Sequence, residues 1–345
     1  MLIKSLIDEQ WVLDGVPQET RPVEDDALYI KPLIQSTGVA VDDRIFLHSL
    51  ILDNNIFSDL VENRRPENSE YIAKLLRSHP IELNPVIAMI EQRQKYAGAS
   101  EKLHEYAELL ERNFGWSEAK QGAVEFDASM EATRKAIAAN VQLLSGYLAA
   151  IVYLFHQTAT AASKLEWLSG LLQNSDLPFF QLHYYFAALM FLAAERPELF
   201  TNKDLKKIKS DMKIAKSQQE QQTKLQNISY DLALPALALF PTKSYGNALV
   251  FPYIATRDRL VQLFLSQVSC QMIVDMGDGR ANGSWILNKS GMLHAHLGDV
   301  IEAYIPRRSS SSSKDDISVR KSRLAAFSEQ YIRLSVGMKH EVSTD

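Results

Sequence analysis

Two apolar runs, each closing on a carboxylate, constrain this chain more than any other feature. Ile45 to Leu52 leads into Asp53, and Ala248 to Thr256 leads through Arg257 into Asp258. Both read as buried strands, and buried strands of this kind belong to a parallel sheet wrapped by helices, so the expected fold class is α/β. In such sheets ligands bind in the crevice beyond the carboxyl ends of the strands, where acids distant in sequence converge. Left alone, converging carboxylates repel and take up protons. A divalent cation removes that conflict, and magnesium takes only one or two carboxylates directly while waters and substrate phosphates complete its shell.

The rest of the chain sets boundaries around those strands. Residues 1–43 are polar and punctuated by proline, with short extended pieces at Trp11 to Leu13 and Leu28 to Ile30, and read as an N-terminal extension packed on the main domain. Residues 44–97 and 226–305 carry the strand patterns of one α/β core. Between them, residues 98–225 show long helical patterns and almost no strand signal, as an all-α insertion would. Helices are expected over 100–113, 127–156, 158–173, 178–195 and 202–222. Asn84 and Pro85 read as a cap and first turn, placing Glu91 about two turns into the helix that follows. Gly277 to Gly283 reads as a turn between Met272 to Asp275 and Trp285 to Asn288. Five serines, Ser309 to Ser313, mark a flexible linker within 306–345, ahead of an amphipathic segment from Ser322 to Leu334 that docks back or joins a partner.

Composition narrows the function classes. With 345 residues, 46% hydrophobic and 23% charged, the chain can bury a large core. A net charge of -5 argues against a protein that coats nucleic acid uniformly, but not against a local basic groove. The single cysteine, Cys270, excludes an internal disulfide framework and a thiolate zinc cluster within one chain. Its apolar neighbours suggest a structural residue. The N-terminal segment meets acids too early for a secretory signal, so the cytoplasm is the expected compartment. Two very apolar stretches, around 143–155 and 177–194, are broken by residues such as Pro178, Gln181 and His183, and read as core helices rather than membrane spans.

Four segments, in order, carry a family likeness. Leu50 to Phe57, with Asp53 followed by Asn54 and Asn55, resembles the first motif of PIN-domain nucleases. Ile81 to Glu91 looks like the second, a short strand leading into a helix that bears a glutamate. Tyr230 to Leu239 is similar to the third, with Asp231 opening an alanine-rich helix. Ala255 to Leu260 looks like the fourth, where Thr-x-Asp ends the next strand as Thr256 and Asp258 do here. The likeness implies a PIN-like parallel sheet flanked by helices, interrupted here by the large helical insertion.

The implied chemistry is metal-assisted hydrolysis of phosphodiester bonds, with Mg²⁺ or Mn²⁺ as cofactor and RNA favoured over DNA as substrate. Asp53 and Asp258 are the expected direct ligands, Asp231 a ligand or an acid just behind one, and Glu91 a ligand through water. Asn55 orients Asp53 or the phosphate, or serves only the turn. Thr256 bonds a carboxylate or phosphate, or is simply a β-branched strand residue. An aspartate after an apolar strand is also a common helix cap. A haloacid-dehalogenase-type phosphatase expects a second aspartate where this chain has Asn55.

Three further features compete or contribute. His294, His296 and Asp299 are spaced closely enough to bind a transition metal; on a helix residues two apart point about 200° apart and would not face one ion, whereas in an extended stretch they could. His156 and His183 lie in apolar helices and read as hydrogen-bonded core histidines. From Lys203 to Lys224 there are seven lysines against three acids, and Lys206, Lys207, Lys209 and Lys213 are candidate contacts for nucleic-acid phosphates, or one solvated helix face. A second basic stretch runs from Arg307 to Arg323. The alternative reading is a noncatalytic interaction module, with the helical insertion holding a protein partner on a degenerate core.

Overall fold

The computed structural model describes residues 28–33, 45–78, 81–85, 87–88, 91, 105, 107–109, 111–112, 138, 141–142, 144–177, 179–238, 248–275, 281–305 and 317–342. In chain order its elements are β1 (Tyr29–Pro32), β2 (Ile45–Leu52), α1 (Asn54–Glu62), α2 (Pro66–Ser78) and β3 (Ile81–Asn84). Helical residues 144–155 then precede α3 (Ala161–Asn174), α4 (Gln181–Glu195), a 3-10 turn (Pro197–Leu199), α5 (Asn202–Met212) and α6 (Gln218–Leu237). The chain continues through β4 (Ala248–Thr256), α7 (Arg259–Gln267), β5 (Val268–Asp275), β6 (Ala281–Leu287), α8 (Met292–Tyr304) and α9 (Ile317–Val342). It divides into two compact units. One draws on Met1–Ala138, Leu234–Gln262 and Ser269–Ile286, the other on Ala139–Ala233, Leu263–Val268 and Leu287–Asp345.

The first unit is built on a four-stranded sheet in the order β1-β4-β2-β3. β2 runs parallel to both β3 and β4, with Leu50 opposite Leu83 on one side and Tyr253 on the other. This α/β arrangement follows from the apolar runs. Leu50, Ile51 and Leu52 are all inaccessible to solvent, as expected of a central strand covered on both faces. The sheet is mixed rather than purely parallel, which corrects the sequence expectation. β1, from the N-terminal segment, pairs antiparallel with β4, placing Tyr29 opposite Thr256. A four-residue edge strand with buried Tyr29 and Ile30 covers an edge that β4 would otherwise present to water. Trp11 to Leu13 lies outside the described residues.

Pro252 stands inside β4, a central strand, where proline is ordinarily excluded because it has no N–H to donate. Its carbonyl still accepts from Leu33 N–H at 3.0 Å. The carbonyl of Leu33, which an ordinary residue at 252 would bond in return, instead accepts from Cys270 N–H at 3.2 Å. The missing donor thus frees an acceptor for β5, which pairs with β6 in a two-stranded sheet. Cys270 is buried.

The second unit is helical. In α4 every residue from Leu182 to Ala193 is buried, so the helix is core on all sides. Among the described residues no helix is long and apolar enough to cross a membrane. Capping follows local sequence: Thr160 Oγ1 accepts from Ser163 N–H, and Thr201 with Asp204 forms a reciprocal capping box on α5. The single helix expected over 202–222 is two. Met212 and Ile214 are both buried two residues apart, a spacing that suits extended chain and not a helix, and Lys213 is extended with ψ 131°. Gln221 Oε1 and Glu220 Oε2 take the N–H groups of Ala215 and Lys216, at 2.7 and 3.1 Å, and α6 starts afresh. The sequence boundary between residues 225 and 226 therefore falls inside one helix.

α9 docks back within the second unit. Its Leu324, Phe327, Tyr331 and Ile332 are buried at helical spacing, and Tyr331 meets Tyr153 with ring centroids 5.5 Å apart. Gly146 makes the close approach possible, since a Cβ there would stand 2.8 Å from Leu324 Cδ1 and 3.3 Å from its Cγ. Gly146→Val is expected to cost about 1–3 kcal/mol through overpacking, read as a lower thermal midpoint. The linker serines lie outside the described residues.

Candidate functional site

The end of β2 places Asp53 at the N-cap position of α1, with φ -69° and ψ 153°, yet its side chain makes no capping bond. Its main-chain N–H donates to Ala255 O at 2.9 Å and so prolongs the pairing of β2 with β4. The carboxylate is turned to other uses. Oδ2 accepts from Thr256 Oγ1 and from Asn55 Nδ2, each at 2.5 Å. Thr256 Oγ1 in turn accepts from Asp258 N–H at 3.0 Å, while Asn55 Oδ1 accepts from Arg257 N–H at 3.1 Å. Asn55 and Thr256 thus bind the first motif to the fourth through a carboxylate that is itself buried.

Burial pushes the Asp53 carboxyl up to about 7. The Thr256 hydroxyl opposes that shift, and the charges of Glu91 and Asp258 add to it. These three acids therefore share one electrostatic environment at the carboxyl ends of β2 and β4. Glu91 is buried, and Asn54 Nδ2 donates to its Oε1 at 3.4 Å. Asp258, rather than Asp53, is the helix cap: its Oδ1 accepts from Leu260 N–H at 2.9 Å and Val261 N–H at 3.1 Å at the start of α7. One oxygen of that expected metal ligand is therefore already engaged. Asp231 lies on α6 within the second unit. Among the described residues no group of three or more His, Cys, Asp or Glu side chains stands placed to hold a metal ion.

A buried ion pair beside the cluster was not anticipated. Asp59 on α1 is fully buried; its Oδ2 lies 2.9 Å from Arg257 Nε, and Arg257 Nη2 donates to its Oδ1 at 3.2 Å. Asn68 Nδ2, from α2, donates to Asp59 Oδ2 at 3.1 Å. The signal was present in the pattern. Asp59 shares the buried stripe of α1 with Ile56 and Leu60, and an acid on such a stripe requires a cationic partner.

The remaining candidates divide. Lys206, Lys209 and Lys213 are exposed, whereas Lys207 is half-buried and pairs with Asp211 at 3.1 Å. Lys224 is also engaged internally, its amine donating to the carbonyls of Ser210 and Lys213 at 2.6 Å. His294 and His296 are exposed on α8, two residues apart on a helix, so they face different directions. His156 behaves as expected, with Nε2 2.9 Å from Met212 O. His183 does not. It is buried, packs against Tyr147 and Phe180 at centroid distances of 5.9 and 5.7 Å, and neither ring nitrogen has a hydrogen-bond partner. Burial brings its pKa down to about 3.

No protein-family model matches this chain, and neither a curated protein nor a solved structure does.

Proposed function

We propose that the chain is a Mg²⁺- or Mn²⁺-dependent phosphodiester hydrolase, a nuclease on a PIN-like core, with RNA favoured over DNA by family resemblance. The observation that carries this reading is the burial of Asp53 beside Glu91 and Asp258: burial first, and then the two neighbouring charges, push its carboxyl up to about 7. The donors suit a hard ion that takes one or two carboxylates directly and fills its shell with water: Asp53 and Asp258 would hold it, with Glu91 acting through water. When bound, such an ion supplies an activated water and offsets charge on the scissile phosphate. Thr256 and Asn55 fix the plane of the Asp53 carboxylate. Asp231 keeps its assignment from motif order alone.

The test is cleavage of RNA and DNA with Mg²⁺ or Mn²⁺ by the unaltered protein, Asp53→Asn and Asp258→Asn. Equal activity in all three sinks the proposal. The exposed lysines of α5 and of its C-cap supply a second expectation. Replacing Lys206, Lys209 and Lys213 with alanine should weaken RNA binding and lower the slope of log affinity against log salt by up to about 2 if all three neutralise phosphates. An unchanged slope removes them from the interface.

The rival reading, a noncatalytic module whose helical unit holds a protein partner, draws on the use of Asp258 as a cap and on the lack of a three-ligand group among the described residues. It requires no cleavage with any metal and full folding of both aspartate variants.

A further inference from the structure

We infer that Asp59 and Arg257 are a positioning pair for the carboxylate cluster, setting the distance between the Thr256 hydroxyl and the Asp258 carboxylate. Its functional meaning rests on the proposed metal site, but the geometry behind it does not. Asp59 is wholly buried and Arg257 only 22% exposed. Removing both charges from water largely cancels their attraction, so such a pair contributes little net stability and its effect lies in fixing geometry.

What it fixes is one residue of the turn between β4 and α7. Asn55 and Asp59, one helical turn apart on α1, hold Arg257 by its main chain and its side chain respectively. Both oxygens of Asp59 are engaged, because Asn68 on α2 adds a donor to Oδ2. The planar guanidinium meets them with a hydrogen bond from Nη2 and an ion-pair contact from Nε, a two-point hold that lysine's single amine does not reproduce. Arg257 is the residue between Thr256, which bonds Asp53, and Asp258, which caps α7. A rotation at 257 therefore displaces both neighbours.

The experiment compares the full chain with Asp59→Asn and Arg257→Lys, reading amide hydrogen exchange residue by residue and Mn²⁺ affinity by electron paramagnetic resonance. Exchange at the Arg257 and Asp258 amides should rise at least tenfold in both variants while Ile51 and Ile254 keep their protection, and Mn²⁺ affinity should fall at least tenfold. Unchanged exchange at 257 and 258, or acceleration spread evenly over β2 and β4, overturns the pair as a positioning device. If Asp59→Asn fails to fold, Arg257→Lys decides alone, since it keeps the charge. Local acceleration in a protein that never binds Mn²⁺ upholds the pair and overturns the metal reading.

Discussion

Asp53→Asn is expected to raise the thermal midpoint at pH 8 while abolishing metal-dependent cleavage. The two effects share one cause. In the folded chain the Asp53 carboxyl titrates at about 7 rather than 3.8, because burial and then the charges of Glu91 and Asp258 disfavour its ionised form. A pKa raised on folding means that the native state binds the proton more tightly. The associated stability is complete below about pH 4 and is lost as pH rises through about 7. At pH 8 the unaltered protein therefore carries a buried charge that asparagine lacks, a difference on the order of 4 kcal/mol at most. Asparagine also keeps an oxygen for the Thr256 hydroxyl. The check is a pair of melts at pH 5 and pH 8. The variant should gain most at pH 8, and added Mg²⁺ should stabilise the unaltered protein more than the variant. A variant less stable at both pH values would mean that Asp53 is structural.

The second large effect lies in the helical unit and runs the other way with pH. His183→Leu should stabilise the protein by about 1–3 kcal/mol near neutrality, because the imidazole buries two polar atoms without hydrogen bonds and leucine buries none. Here burial lowers the folded pKa to about 3 from an ordinary 6.5. Stability from the neutral ring is complete above 6.5 and falls as pH drops toward 3, so acid unfolds the unaltered unit early. Circular dichroism across an acid titration should place the unfolding midpoint of His183→Leu at lower pH. Identical midpoints would show that the ring finds a partner in solution. Because Asp53 loses stability upward through pH 7 and His183 loses it downward through the acid range, the two units should respond oppositely to pH.

Both central strands were legible because their apolar runs are long and end at turn formers. Asp53, Asn55, Thr256 and Asp258 were legible for the same reason: each stands at a strand end, where side chains from β2 and β4 must meet once the two strands pair. β1 was read only in part, since four residues at an edge carry little pattern and take their direction from β4. The break after Met212 is written in the two-residue spacing of Met212 and Ile214, yet lysines on either side gave that stretch a uniform helical look. Asp258 carries the mark of a cap in the amphipathic helix that follows it. The missing partners of His183 could not be read at all, because a side chain's hydrogen bonds depend on which elements surround it. Asp231 shows the limit of motif order: its segment is helical, but α6 begins at Gln218, so Asp231 lies inside the helix instead of opening one, and a helix assigns no neighbour to its side chain.

The pairing of β2 with β4 also carries a consequence in time. The bond from Thr256 to Asp53 spans 203 residues of chain. At synthesis rates of about 5–20 residues per second, β2 leaves the ribosome roughly 10–40 s before the strand that completes it. Through that interval an apolar strand waits with one edge open, a natural client for a holding chaperone. The Asp53 carboxyl meets Thr256 and Asp258 only after that interval, so the cluster at the strand ends cannot form until β4 and the turn behind it have been made.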